Sequence, residues 1–259
     1  NGDKYIAWNW NMNGGTTTAF TESGDNPGGT HQANTTAGQS IVTYTGTGAA
    51  GTISHGLGAV PAWFFVKNRD VNSHNWIMFH QDFSTNGFIS WNLNQDVKSN
   101  SARFTSNAAT SSVFYVGTDG STNADGEKFI AYLFAEVEGY SRFGTYKGSG
   151  NGTYGCFIYT GFRPAFVMIK RTDSANNWHI NDNKRDPNNP VEQYVYADDN
   201  GTEDDLSGAG AGLDFLANGF FIRDTTAAVI NNSSGTYIFM AFADMPFKYN
   251  NAALNTDIS

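Results

Sequence analysis

The stretch GEKFIAYLFAEVEGY, Gly126 to Tyr140, decides how this chain is read, because the sequence contains it three times. A first version opens the chain as Gly2-Asp3-Lys4-Tyr5-Ile6-Ala7-Trp8-Asn9-Trp10, and a last one runs Gly235-Thr236-Tyr237-Ile238-Phe239-Met240-Ala241-Phe242-Ala243-Asp244. Alignment puts Tyr5, Phe129 and Tyr237 in one column, Ile6, Ile130 and Ile238 in the next, and Trp10, Phe134 and Phe242 four further on. A glycine ahead of an aromatic-rich run of about eight residues predicts a turn feeding a buried strand. Glu136 and Asp244 close the run. The chain reads as a repeat protein that begins at the last strand of an incomplete copy.

A second signature agrees. Gly58-Ala59-Val60-Pro61-Ala62-Trp63-Phe64-Phe65-Val66-Lys67-Asn68-Arg69-Asp70 matches Gly161-Phe162-Arg163-Pro164-Ala165-Phe166-Val167-Met168-Ile169-Lys170-Arg171-Thr172-Asp173, pairing Pro61 with Pro164, Lys67 with Lys170 and Asp70 with Asp173. Tyr44 pairs with Tyr146 upstream, and Trp76 with Trp178 downstream. Such ordered coincidences are duplication. The shared unit is a Gly-x-x-Pro turn, a buried strand whose first residue tolerates proline, and a strand carrying Trp. Ser112–Gly117 reads as a further strand followed by an Asp119-Gly120 turn. The second unit repeats this as Gly219–Arg223 and the turn from 231 to 235.

The repeat length, about 100 residues, suits a β-sandwich per copy. The expected fold is all-β: two tandem, jelly-roll-like sandwiches, at residues 40–139 and 140–249. Ahead of them come the final strand of a preceding repeat (1–13) and a linker or long loop (14–39) rich in Gly, Thr, Asn and Ser. Residues 250–259 read as a polar tail, and the acidic, Gly-containing stretch 182–212 as a surface loop.

Composition supports this reading. The chain has 259 residues, 15% aromatic and 15% charged, with 29 Gly; scarce helix formers and abundant Thr, Ser, Asn and Gly indicate a turn-rich β protein. A net charge of −9, without a Lys/Arg cluster, argues against nucleic acid as a partner. No apolar run approaches the roughly 18 residues of a membrane span, so no membrane insertion is expected. The single cysteine, Cys156, cannot form an intrachain disulfide and is expected buried in a strand.

The stretches SIVTYTGTGAAGTISHGLGAVPAWFFVKNRD, KFIAYLFAEVEGYSRFGTYKGSG, YTGFRPAFVMIKRTDSANNW and YIFMAFADMPFKY resemble the C-terminal repeats of large marine bacteriophage proteins. These often lie downstream of SPRY or concanavalin-like lectin modules, in proteins described as tail-fibre or structural. The resemblance runs from Tyr5 to about Tyr249, weakest at 81–107 and 182–212. It implies a virion-surface segment that self-associates, as a trimer, and contacts other virion proteins and host glycan. It assigns no catalytic residue.

The residues offer few sites for chemistry. His31, His55, His74, His80 and His179 show no metal-ligand spacing. Glu136 and Glu138 share a strand face, as glycosidase carboxylates can; the other reading is a charged strand end that blunts an edge. Asp198, Asp199, Asp204 and Asp205 surround an Asn-Gly turn, offering calcium hard oxygen ligands but no EF-hand frame; otherwise they form a solvated acidic loop, and no cofactor is expected. Aromatics beside polar loops stack on sugar rings. Tyr194, Tyr196 and Trp91 are the candidate contacts, while the equivalent Trp76 and Trp178 are expected in the cores. A fibre segment that is not an enzyme is the leading expectation. A secreted carbohydrate-binding module is the alternative, and a polysaccharide depolymerase a more distant one.

Overall fold

A computed structural model describes residues 5–12, 14–105, 108–151, 155–205, 212–223 and 229–245. Among them the chain is nearly all β. One large sheet contains β1 (Thr18–Phe20), β2 (Gly29–Asn34), β3 (Gln39–Thr45), β5 (Trp63–Asn68), β6 (Ile77–His80), β7 (Gly87–Ser90), β8 (Lys98–Ser99) and β10 (Lys128–Phe134). Its order is β1-β2-β3-β10-β5-β6-β7-β8, with every pairing antiparallel. A small sheet pairs β4 (Gly51–Ser54) with β9 (Val113–Val116). The only helix among the described residues, α1 (Gly120–Asn123), is capped by the Asp119 side chain.

The second half repeats the plan. β11 (Ser141–Lys147), β13 (Pro164–Arg171), β14 (His179–Asp182), β15 (Gln193–Tyr196), β16 (Asp204–Asp205) and β19 (Thr236–Ala243) form a sheet ordered β11-β19-β13-β14-β15-β16. This is the order β3-β10-β5-β6-β7-β8 with each strand replaced by its copy. The matching small sheet is β12 (Cys156–Tyr159), β18 (Gly219–Ile222) and β17 (Leu213–Leu216). The turn glycines agree as well, Gly58 at φ 71° and Gly161 at φ 84°, a region where a side chain is strained.

Each large sheet packs on its own small sheet. In the first sandwich Phe64, Val66, Phe129 and Leu133 meet Ile53, Phe114 and Val116. In the second, Val167, Ile169, Tyr237 and Phe239 meet Ile158, Phe220 and Phe215. Successive strand residues point to opposite faces, so these clusters use only alternate positions. The remaining positions form a third core between the two large sheets, where Trp63, Phe65 and Met78 face Phe166, Met168, Met240 and Phe242. The molecule is therefore a stack of four sheets, and its two middle sheets are covered on both faces. That explains why the central strands read as unbroken apolar runs.

Three expectations change. Residues 5–12 lie in none of these sheets. Trp8 and Trp10, on one parity as the sequence suggested, instead insert into the third core. Trp10 lies edge-on to Phe134, Phe166 and Phe242 at ring-centroid distances of 6.2, 6.0 and 5.4 Å. Gln32 and Asn34 side chains donate to the Met12 and Asn11 carbonyls at 3.2 and 2.8 Å. The stretch 14–39 is no linker, since it supplies β1 and β2, whose polar residues sit at the rim of the sheet, where no second sheet requires apolar side chains. The stretch 182–212 is more than a surface loop: it contributes β15 and β16 and buries Val191 and Tyr194. The polar tail from 250 lies outside the described residues.

Main-chain and side-chain bonds lock the two halves together at one loop. Val97 N–H donates to Thr172 O at 3.0 Å, Asn176 N–H to Asn94 O at 2.7 Å, and Trp178 Nε1 to Leu93 O at 3.2 Å. Trp10→Ala should cost about 2–3 kcal/mol, since it empties an aromatic site that both large sheets share. Denaturant titration checks this; an unchanged midpoint would remove residues 5–12 from the core.

Candidate functional site

A cavity of about 550 Å³ opens where the third core reaches the surface. β5 brings Phe65, β10 brings Tyr132 and Phe134, the segment before β6 brings Trp76, and β7 leads into Trp91. From the second half come Met168, Ile180 and Tyr196, and Ile6, Trp8 and Trp10 close one side. Trp76 stacks on Tyr132 at 6.1 Å and meets Trp91 edge-on at 5.7 Å; Trp91 lies 4.7 Å from Phe65. The Trp91 indole Nε1 is buried without a protein acceptor. Next to these rings in the chain, Asn92 accepts from Trp76 N–H at 3.0 Å and donates to Asn75 at 2.9 Å.

Two of the three sequence candidates, Trp91 and Tyr196, line this cleft. Tyr194 sits behind it. Its ring is buried, 5.1 Å from Tyr196 and stacked at 4.5 Å on His179, and its hydroxyl donates to Asp204 Oδ2 at 2.8 Å. Burial, and then the Asp204 carboxylate, raise its pKa far above the ordinary phenol; burial raises that of Tyr196 too. Trp178 is fully buried as expected, whereas its equivalent Trp76 is partly exposed and forms a wall of the cleft. Trp8, Trp10 and Tyr132 were not singled out as contacts. The signal for them is the second apolar parity of β10 and of residues 5–12, which demands a partner for a second face.

The four aspartates do not converge. Asp198 accepts from Trp178 N–H at 2.8 Å, Asp199 from Gly201 N–H at 3.3 Å, and Asp204 from Tyr194 and from Asp205 N–H. Among the described residues no three His, Cys, Asp or Glu side chains come together as metal ligands. Glu136 is occupied structurally: Oε1 accepts from Phe143 N–H at 2.9 Å and Oε2 from Arg142 at 3.4 Å. Cys156, half-buried on β12, donates to Lys147 O at 3.1 Å. Lys170 is fully buried beneath the interlocking loop and donates to the Asn94 and Asn176 carbonyls. Burial lowers its pKa to about 8, against the pull of Asp198 and Asp96.

A family model described as a domain of unknown function, DUF7483, matches residues 1–246. The chain belongs to the DUF7483 family. Comparison with curated proteins and with solved structures returns no match.

Two histidines of the DUF7483 chain are held neutral. Burial lowers His80 to about 3, and burial with the nearby Arg185 lowers His179 to about 3. Above pH 6.5 both are neutral folded or unfolded. Below it only the unfolded chain takes the protons, so stability falls as pH drops towards 3, by about 1.4 kcal/mol per pH unit for each residue. Unfolding titrations between pH 7 and 4 should show this slope, and His179→Gln should remove the share of one histidine, about half of what His80 and His179 contribute together. An unchanged slope in the variant would show that His179 protonates in the fold.

Proposed function

We propose that this chain is a non-enzymatic segment of a virion fibre that self-associates and holds a host-surface sugar in the aromatic cleft. The observation that carries the sugar reading is the cleft's wall of rings, Trp76, Trp91, Tyr132 and Tyr196. Indole and phenol faces pack against the C–H face of a pyranose, and each offers a polar edge for its hydroxyls. The Trp91 Nε1 donor lacks a protein partner, and Asn75 and Asn92 adjoin Trp76 and Trp91 in the chain. The volume falls in the range of small-ligand sites, roughly 300–1,000 Å³. A duplicated scaffold whose halves build such a cleft between them suits adhesion better than turnover. The fibre reading draws on the resemblance of the repeat stretches to phage tail-fibre repeats, which supports a position on the virion surface among other virion proteins.

A glycan array followed by calorimetry tests the sugar reading. Trp76→Ala and Trp91→Ala should each weaken binding by about tenfold or more, some 1.4 kcal/mol, while the melting profile stays cooperative. Absence of any glycan bound by the folded protein, or binding indifferent to both variants, would overturn it.

A further inference from the structure

Among the described residues the duplication leaves one strand without its neighbour. In the first half β3 lies between β10 and β2; in the second half its copy β11 pairs with β19 and forms the edge of its sheet. The cause is in the chain: residues 14–34 precede β3 and provide β1 and β2, whereas β10 runs into β11 through a short turn closed by the Val137–Ser141 bridge. The edge borders a groove of about 400 Å³, walled by Phe157 and Tyr159 of β12, which are 47% and 62% exposed.

The backbone direction of β11 follows from its partners. Phe143 N–H meets Glu136 and its carbonyl accepts from Gln81 at 3.2 Å, both away from β19. Residues two apart share an edge, so Thr145 also presents its N–H and C=O to the groove. The copy of Thr145 is Thr43, which is opposite Thr30 of β2, with the two hydroxyls 2.9 Å apart. The copy of Tyr146 is Tyr44, which is opposite Gly29. A Cβ at Gly29 would stand 2.0 Å from Thr43 O, so only glycine fits beside that tyrosine. Both tyrosines lean the same way, Tyr44 stacking on Phe129 at 5.0 Å and Tyr146 on Tyr237 at 4.8 Å.

We propose that β11 of a second copy fills this place, antiparallel and two-fold, with Thr145 on the axis. β11 carries the needed sequence itself, since Gly144-Thr145 repeats the Gly29-Thr30 of β2. With Thr145 opposite Thr145, each Tyr146 faces a Gly144 of the other copy and each Lys147 faces a Phe143. In this register the main chain of Lys147 in one copy displaces Glu136 and Gln81 from the Phe143 N–H and C=O of the other, and the released Glu136 carboxylate meets that Lys147 ammonium, an opposite-charge pair at each end. Phe157 and Tyr159 flank the seam and account for their exposure. The contact is isologous and closes on itself, joining two six-stranded sheets edge to edge. It deepens the self-association part of the fibre reading, with a two-fold pair in place of the expected trimer, and does not depend on the sugar.

Two variants of the full chain test it. Thr145→Pro deletes the outward N–H and removes no bond to β19, a substitution that an edge strand accepts. Light scattering should give a dimer, or an even-numbered assembly, for the wild type and half that mass for the variant. In a Cys156→Ser background, Thr145→Cys should form an intermolecular disulfide under mild oxidation, because opposed Cα atoms in such a pair lie about 5.5 Å apart. Lys147→Cys should not, because it faces Phe143. A wild-type monomer at all concentrations, an assembly unaffected by Thr145→Pro, or equal cross-linking at both positions would overturn the proposal. Glycan binding by the same variants separates the two readings: a monomeric Thr145→Pro that still binds sugar leaves the cleft untouched.

Discussion

The structure depends on the burial of both faces of its central strands. β5 and β10 in the first half, and β13 and β19 in the second, send alternate residues into their own sandwich and the rest into the core shared between halves. A sheet solvated on one face alternates apolar and polar residues. Here the alternation is lost, and Tyr132-Leu133-Phe134 or Phe239-Met240-Ala241-Phe242 each serve two cores. Large aromatics fit this duty because one side chain spans much of the distance between packed sheets, roughly 10 Å.

The shared core also determines what can be polar. Main-chain bonds from residues 93–97 close one end of the seam, and Lys170 sits under that loop with its ammonium on two carbonyls. Its copy Lys67 has no such loop above it; the ammonium reaches the Asn68 and Val71 carbonyls close by in the chain and remains part-exposed. The two copies of one lysine thus differ because only one faces the partner sandwich's loop. Duplicated residues have diverged where the halves meet. Trp76 and Trp178 diverge in the same way, one at the mouth of the seam and one sealed within it.

Much of the fold was legible because duplication is a pattern in the sequence alone. The Gly-x-x-Pro turn, the paired strands and the repeated GEKFIAYLF-like run identified the all-β class, the two sandwiches and their matching strands. The seam was harder to see, since an apolar run looks the same whether its second face meets a small sheet or another domain. For that reason Trp8 and Trp10 were read as part of a strand, and the polar β1 and β2 as a linker. Trp91 and Tyr196 could be picked from their polar neighbours. Their meeting across the seam could not, because it depends on how two sandwiches are stacked. The acidic residues 198–205 illustrate the opposite error: adjacency in sequence suggested convergence, yet Asp198, Asp199 and Asp204 each turn to a different donor.

The shared core also bears on the order of synthesis. As the chain emerges, the first sandwich is complete in strands once β10 is made, but its outer face of Trp63, Phe65, Met78 and Phe134 lacks its facing sheet until β13 and β19 follow, with Trp8 and Trp10 alone already made to pack against it. For that interval of more than 100 residues, roughly 5–20 s at the usual pace of translation, the nascent half presents an aromatic surface to the cell. The two halves are two copies in ancestry, yet the aromatic face that the first leaves uncovered is buried only by the second.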